Sequence, residues 1–193
     1  MPMAPTTTSH RVPSTLTMDL LLVACLVGLV VAARLIPHAP NLTPIVAAAL
    51  FAGTVFRSRA LALAVPIVAM LLSDLLIGFE DWRIRVIVYA ALILPVILGL
   101  WGRRFRPIVA LLPLALASSL LFFAASNFAV WAFSGMYSLD FSGLVRCYVM
   151  ALPFLQNTVI GDVAWTAALF GSWWLAQLWI PAARRAATSA NPR

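Results

Sequence analysis

Lysine is absent from this chain, acidic residues number only six, and cysteine appears only as Cys25 and Cys147. Each shortage excludes something. Charged residues make up 10% of the 193, against roughly 25% in soluble proteins, while 63% are hydrophobic. The chain therefore has too little charge to cover a water-soluble fold. The formal charge of +7 comes from arginine alone, in short clusters between apolar blocks. Those clusters mark loops at a membrane surface; the interleaved aromatics and fold signatures that would indicate a nucleic-acid groove are missing. The two cysteines fall in opposite halves of the membrane, which argues against a disulfide. Neither belongs to a CxxC or Cys/His cluster, so no structural metal is expected. No phosphate-cradling glycine loop occurs either, so no cofactor is expected, and any energy from ATP must come through a partner.

What the chain has instead is a series of long apolar runs. A membrane-crossing helix needs about 20 apolar residues, with 17–25 the usual range. The sequence predicts an all-α polytopic bundle of about six such helices, at Met18–Ala33, Thr43–Phe56, Ala60–Gly78, Val86–Trp101, Ile108–Phe133 and Asn157–Ile180. The organisation is then a tail at 1–17, a transmembrane domain at 18–180 and a second tail at 181–193. The first run resembles a signal peptide in shape, but Arg34 and Pro37 follow it at once and it fits the regular series, so it reads as a span. The second run is short. It is expected to start inside the bilayer, below an inward-dipping turn at Pro37-His38-Ala39-Pro40-Asn41. Gly143–Leu155, carrying Arg146 and Pro153, is too short to cross and reads as a helix lying at the interface; a seventh span is the alternative.

Arginine placement sets the orientation, because cytoplasmic loops are enriched in Lys and Arg. With the N-terminus inside, Arg11, Arg57, Arg59, Arg103, Arg104, Arg106, Arg184, Arg185 and Arg193 are cytoplasmic. Only Arg34, Arg83, Arg85 and Arg146 are then outside. Both termini are therefore expected in the cytoplasm. Trp82, Trp101, Trp131, Tyr137 and Trp179 fall near predicted boundaries, where aromatic rings favour the interface.

A central Asp in a membrane costs about 2.5–3.5 kcal/mol on insertion scales, so intramembrane polar residues need an explanation. Asp74 and Asn127 lie late in outward-running spans, while Asn157 and Asp162 lie early in an inward-running one. All four belong to the outer half. The first outer loop adds Arg34, His38 and Asn41, and the loop after the third span adds Glu80, Asp81, Trp82 and Arg83. The simplest architecture using these positions is a polar, aromatic-lined cavity, open outward and closed toward the cytoplasm. His38, Asn41, Asp74, Glu80, Asp81, Trp82, Asn127, Asn157 and Asp162 are its candidate ligand contacts. Structural roles stand beside this reading: Asn157 as an N-cap of the last span, Asp162 near that helix's positive end, and His38 as an exposed or capping residue. Ala24, Gly28 and Ala32, four apart, put small side chains on one face of the first span. Such a face suits either an ordinary intramolecular contact or a docking partner.

The stretches Arg34-Leu35-Ile36-Pro37-His38-Ala39-Pro40-Asn41-Leu42-Thr43-Pro44, Ala49-Leu50-Phe51-Ala52-Gly53, Ser73-Asp74-Leu75-Leu76-Ile77-Gly78, Asn157-Thr158 and Gly161-Asp162 also carry a family likeness. They resemble a family of small bacterial membrane proteins related to the S-components of energy-coupling-factor vitamin transporters. The resemblance implies a six-helix protein of the bacterial inner membrane whose vitamin-like ligand enters under the first, third and fifth loops. It also implies that the face of Ala24, Gly28 and Ala32 docks a transmembrane coupling subunit served by ATPases. Some relatives are solitary cobalamin transporters that bind cobalt through a cysteine. This chain reads Phe79-Glu80-Asp81-Trp82 in the loop after the third span, without that cysteine.

Three functions compete on these grounds. Solute uptake requires no covalent chemistry. An intramembrane aspartyl enzyme would pair Asp74 with Asp162, but Val159 stands where the Gly-x-Gly-Asp pattern of membrane aspartyl proteases needs glycine, and Ser118-Ser119 has no nearby histidine base. In a structural or accessory subunit, the polar cluster acts only as interhelical glue.

Overall fold

The computed structural model describes residues 15–78, 81–105 and 107–189, and all elements among them are helices. Apolar runs in hydrocarbon must satisfy every backbone N–H and C=O within the segment, and a helix does so. The helices are α1 (Thr15–Leu35), α2 (Ile45–Val55), α3 (Arg59–Ile77), α4 (Trp82–Ala91), α5 (Ile93–Gly102), α6 (Pro107–Phe133) and α7 (Phe141–Ser189). α4 and α5 form one rod, Trp82–Gly102, interrupted at Leu92. Pro95 accounts for the break, because it supplies no N–H to the preceding turn and crowds the carbonyl of Ala91. The result is six rods. Five are long and apolar enough to cross a membrane, and α2 is the short one. The protein is a polytopic helical membrane protein.

α2 is the hub. Ile45 through Gly53 are all buried, and α2 packs against α1, α3, α5, α6 and α7. Its 11 residues span about 16 Å at 1.5 Å per residue, half a bilayer. The proline-rich turn before it, 37–41, is exposed and does not dip into the bundle; burial begins only from Leu42 onward. Asn41 holds φ +62°, a left-handed conformation that Asn tolerates better than most residues, and Leu42 packs on Gly161 of α7. Phe51 anchors the core edge-on to Phe170 and Trp173, with ring centroids 5.0 and 5.9 Å away.

Two glycines bring α2 against α5. A Cβ on Gly53 would lie 2.2 Å from the carbonyl oxygen of Val96, and one on Gly99 would lie 2.3 Å from that of Leu50. Both obstacles are backbone, so neither can step aside. At the same end of the bundle, Arg103 closes the C-terminus of α2 by donating from Nε and a terminal nitrogen to the Gly53 carbonyl, 2.9 and 2.6 Å away, and also to that of Phe56. A cation there also faces the negative end of the helix dipole.

Another reading of the sequence is corrected. The segment 143–155 is no separate interfacial helix, because α7 runs unbroken for 49 residues through Pro153 and past Asn157. Asn157 is therefore mid-helix, and N-capping falls to Asp140, whose carboxylate accepts from Gly143 N at 2.7 Å. That bond holds the Asp140 carboxyl below the usual carboxylate range. At about 73 Å, α7 exceeds a 30 Å hydrocarbon layer more than twofold, so part of it stands outside the hydrocarbon. On α1, Ala24, Gly28 and Ala32 are exposed, and a Cβ on Gly28 would meet nothing within 4 Å.

Candidate functional site

The polar residues gather where α1, α3 and α6 finish and α4 begins. Asp74, a turn before the end of α3, is the centre. Its Oδ1 accepts from a terminal nitrogen of Arg34, at the end of α1, at 2.8 Å. Its Oδ2 accepts from the Tyr89 hydroxyl at 2.8 Å and lies 3.8 Å from Nε of Arg85. Arg85 and Tyr89 are one turn apart on α4, so both present to α3 together. Three helices are tied at this single carboxylate, which is 8% exposed. A buried carboxylate is costly without partners, and here two guanidiniums and a phenol supply them.

Beside this cluster opens a cavity of about 660 Å³. Its polar wall consists of Arg34, Asn41, Asp74, Arg85, Asn127 and Thr158, with Ser126 beside Asn127; Phe122, Phe123 and Phe154 supply aromatic surface. Pockets of roughly 300–1,000 Å³ are those that enclose small-molecule ligands, with apolar walls and a few orienting polar groups. Among the described residues the wall carries two arginines and one aspartate.

The candidates named from sequence divide sharply. Asp74, Asn41 and Asn127 line the cavity. His38 lies outside its wall, exposed, with Nδ1 2.6 Å from the Ile36 carbonyl. Asp81 caps α4, accepting from Arg83 N at 2.8 Å, a bond that lowers its carboxyl below the ordinary range. Trp82 is 69% exposed and away from the wall. Asn157 ties α7 to the loop before α2, donating to the Pro40 carbonyl at 3.2 Å. Glu80 lies outside the described residues.

Asp162 forms a second, separate polar point. It is 2% exposed between α6 and α7, where Ser119 Oγ lies 2.6 Å from Oδ2. Thr158 and Thr166 sit one turn to either side on the same face of α7, both buried. Asp74 and Asp162 thus have different partners, and Asp162 is no part of the cavity wall. Among the described residues no group of three or more His, Cys, Asp or Glu could hold a metal ion. Cys147 is buried, 3.5 Å from the Asn127 carbonyl and off the cavity wall, so no thiolate reaches the cavity.

Arg85 and Tyr89 were not among the sequence candidates, and Arg34 figured only as a loop residue. A signal for the arginines existed. Arg34 and Arg85 are two of just four arginines on the side that the charge rule disfavours, each flanking an apolar run. Tyr89 follows Arg85 by one turn, but nothing in sequence distinguishes it from an interfacial tyrosine.

A family model described as "Family of unknown function (DUF6580)" matches residues 14–183. No curated protein matches the chain, and no solved structure does.

Proposed function

The chain belongs to the DUF6580 family, and on that footing we propose that it is a solute-binding membrane protein serving uptake of a small, vitamin-like molecule. The observation that carries this reading is the 660 Å³ cavity lined by Asp74, Arg34 and Arg85 in an otherwise apolar bundle. Interhelical glue needs no such space. On this reading the termini are cytoplasmic and the cavity faces outward, which the arginine bias supports, in a bacterial inner membrane as the S-component likeness implies. The solute then enters beneath the loops after α1, α3 and α6. Asn41, Asn127 and Thr158 orient it, and Phe122, Phe123 and Phe154 cover its apolar parts. No step requires a nucleophile or a proton transfer from the protein. A corrinoid is the weaker form of the proposal, since no thiol lines the cavity to hold cobalt.

Native mass spectrometry of the protein purified in detergent tests the reading. Wild type should carry a defined small molecule that Asp74→Ala loses while remaining folded. A clean spectrum from both forms contradicts it.

One observation favours an additional role for a partner. Only 17% of the α1 span is buried, and its Ala24, Gly28 and Ala32 face is open. Close helix approach at that face suits a transmembrane coupling subunit, as the S-component likeness implies. On this second reading, substitution of Gly28 by leucine disrupts complex formation and leaves solute binding intact.

A further inference from the structure

We propose that the end of the bundle opposite the cavity holds an anionic phospholipid, with an alkyl chain in a groove between α5 and α6 and the headgroup at the arginines beside it. This site is independent of the solute cavity and of what fills that cavity.

The groove encloses about 360 Å³. Trp101 at the end of α5 and Phe105 in the turn after it form one wall, and Val109, Ala110, Pro113 and Leu114 on the first turns of α6 form the other. Among the described residues the lining is apolar throughout. Such a wall offers a polar solute no hydrogen bond and suits an alkyl chain. Trp101 and Phe105 meet edge to face with centroids 4.7 Å apart, and each ring is about half exposed. Aromatic rings at a helix end favour headgroup level, so the mouth of the groove lies where chain gives way to headgroup.

Charge supplies the other half of the site. Arg104 is exposed in the turn joining the two rings, where its backbone N–H donates to the Trp101 carbonyl at 3.2 Å. Arg103 beside it is engaged by the α2 carbonyls and stands close enough to Arg59 for the two charges to repel. Arg57, Arg59 and Arg104 are exposed and form no ion pair among the described residues. The chain has little counter-charge to bring here. Of its six acidic residues, Asp74, Glu80, Asp81 and Asp140 belong to the cavity end, and Asp162 is buried against Ser119. Only Asp19, on the first turns of α1, lies in this half.

A phosphodiester with no cation of its own answers this excess. Guanidiniums take phosphate oxygens through charge-assisted hydrogen bonds, and basic clusters at helix ends attract anionic headgroups. An acidic solute in water would satisfy the arginines and leave the groove bare, whereas a zwitterionic lipid would fill the groove and leave the charge. An anionic phospholipid does both at once.

In the test, the purified and delipidated protein in a neutral detergent receives equal amounts of phosphatidylglycerol and phosphatidylcholine, and native mass spectrometry reads the lipid retained. Wild type should retain phosphatidylglycerol in preference to phosphatidylcholine. Arg104→Gln should bind it roughly fivefold more weakly, the share of one arginine at an anionic surface. Val109 is 72% exposed on the groove wall, so Val109→Trp fills the groove without disturbing the core and should also weaken retention. Arg146→Gln removes an exposed arginine near the cavity end and should bind as wild type does. Equal retention of the two lipids by wild type, or retention of neither, refutes the site even if every variant fails to fold. A phosphatidylglycerol preference that survives both Arg104→Gln and Val109→Trp, or that falls as far in Arg146→Gln, refutes its placement in this groove.

Discussion

Two aspartates in the membrane, Asp74 and Asp162, carry the same sequence signal and meet different ends. Asp74 has two guanidiniums and a phenol; Asp162 has one serine. Ser119 Oγ lies 3.0 Å from the Ala115 carbonyl and 2.6 Å from Asp162 Oδ2, and one hydroxyl proton can serve only one of them. The amide isostere keeps the volume of Asp162 and an acceptor for Ser119, so Asp162→Asn should fold normally, with stability within about 1 kcal/mol of wild type. Asp162→Leu should lose roughly 1–3 kcal/mol by leaving Ser119 with a carbonyl partner only and by misfitting the packed site. Thermal unfolding of the three purified proteins checks this, and a collapse of Asp162→Asn comparable with the leucine variant would show that a carboxylate charge is needed there. At this scale the sequence was legible where cost singles a residue out. It was not legible where a side chain reaches across space: nothing in the string relates Tyr89 to Asp74, and exposed polar residues such as His38 and Trp82 resemble contacts until the cavity is seen to lie elsewhere.

Among the elements, α2 is where length and position were both readable. Its shortness and the preceding prolines imply a helix starting inside the bundle, and Ile45–Gly53 are indeed wholly buried. The contact that fixes it was not readable. Small-residue spacing points to α1, whose Ala24, Gly28 and Ala32 are exposed. The working glycines are isolated ones, Gly53 on α2 and Gly99 on α5, distant in sequence and without a repeating pattern. Gly99→Ala should accordingly cost at least about 1–3 kcal/mol, because the added methyl meets the Leu50 carbonyl and the α2 backbone cannot yield. Gly28→Ala, with open space around it, should be nearly neutral. Comparing the folded, monodisperse yield and melting midpoint of the two alanine variants tests the assignment; equal behaviour would contradict it. α7 shows the opposite failure. Arg146, Pro153 and Asn157 suggested an end and a restart, yet one helix continues through all three. Within a membrane, a proline's freed carbonyl can be satisfied by neighbours, so the signals that stop soluble helices lose force.

For the whole molecule, hydropathy anticipates the number of rods and arginine placement a preferred orientation, and two of the four arginines against that preference, Arg34 and Arg85, line the cavity. Arg34 and Arg85 meet Asp74, and the cavity opens beside the three. The central claim is that this cavity opens to water at the cell exterior. Ser126 lines it, and a Ser126→Cys substitution in a Cys25→Ser, Cys147→Ser background places one thiol of nearly the same size on its wall. Labelling with a membrane-impermeant maleimide is the most direct measurement. Intact cells should label this thiol, while a Ser58→Cys control at the opposite end should react only after permeabilisation. Labelling of Ser126→Cys only from the cytoplasmic side, or none from either side while Ser58→Cys reacts normally, would contradict the account.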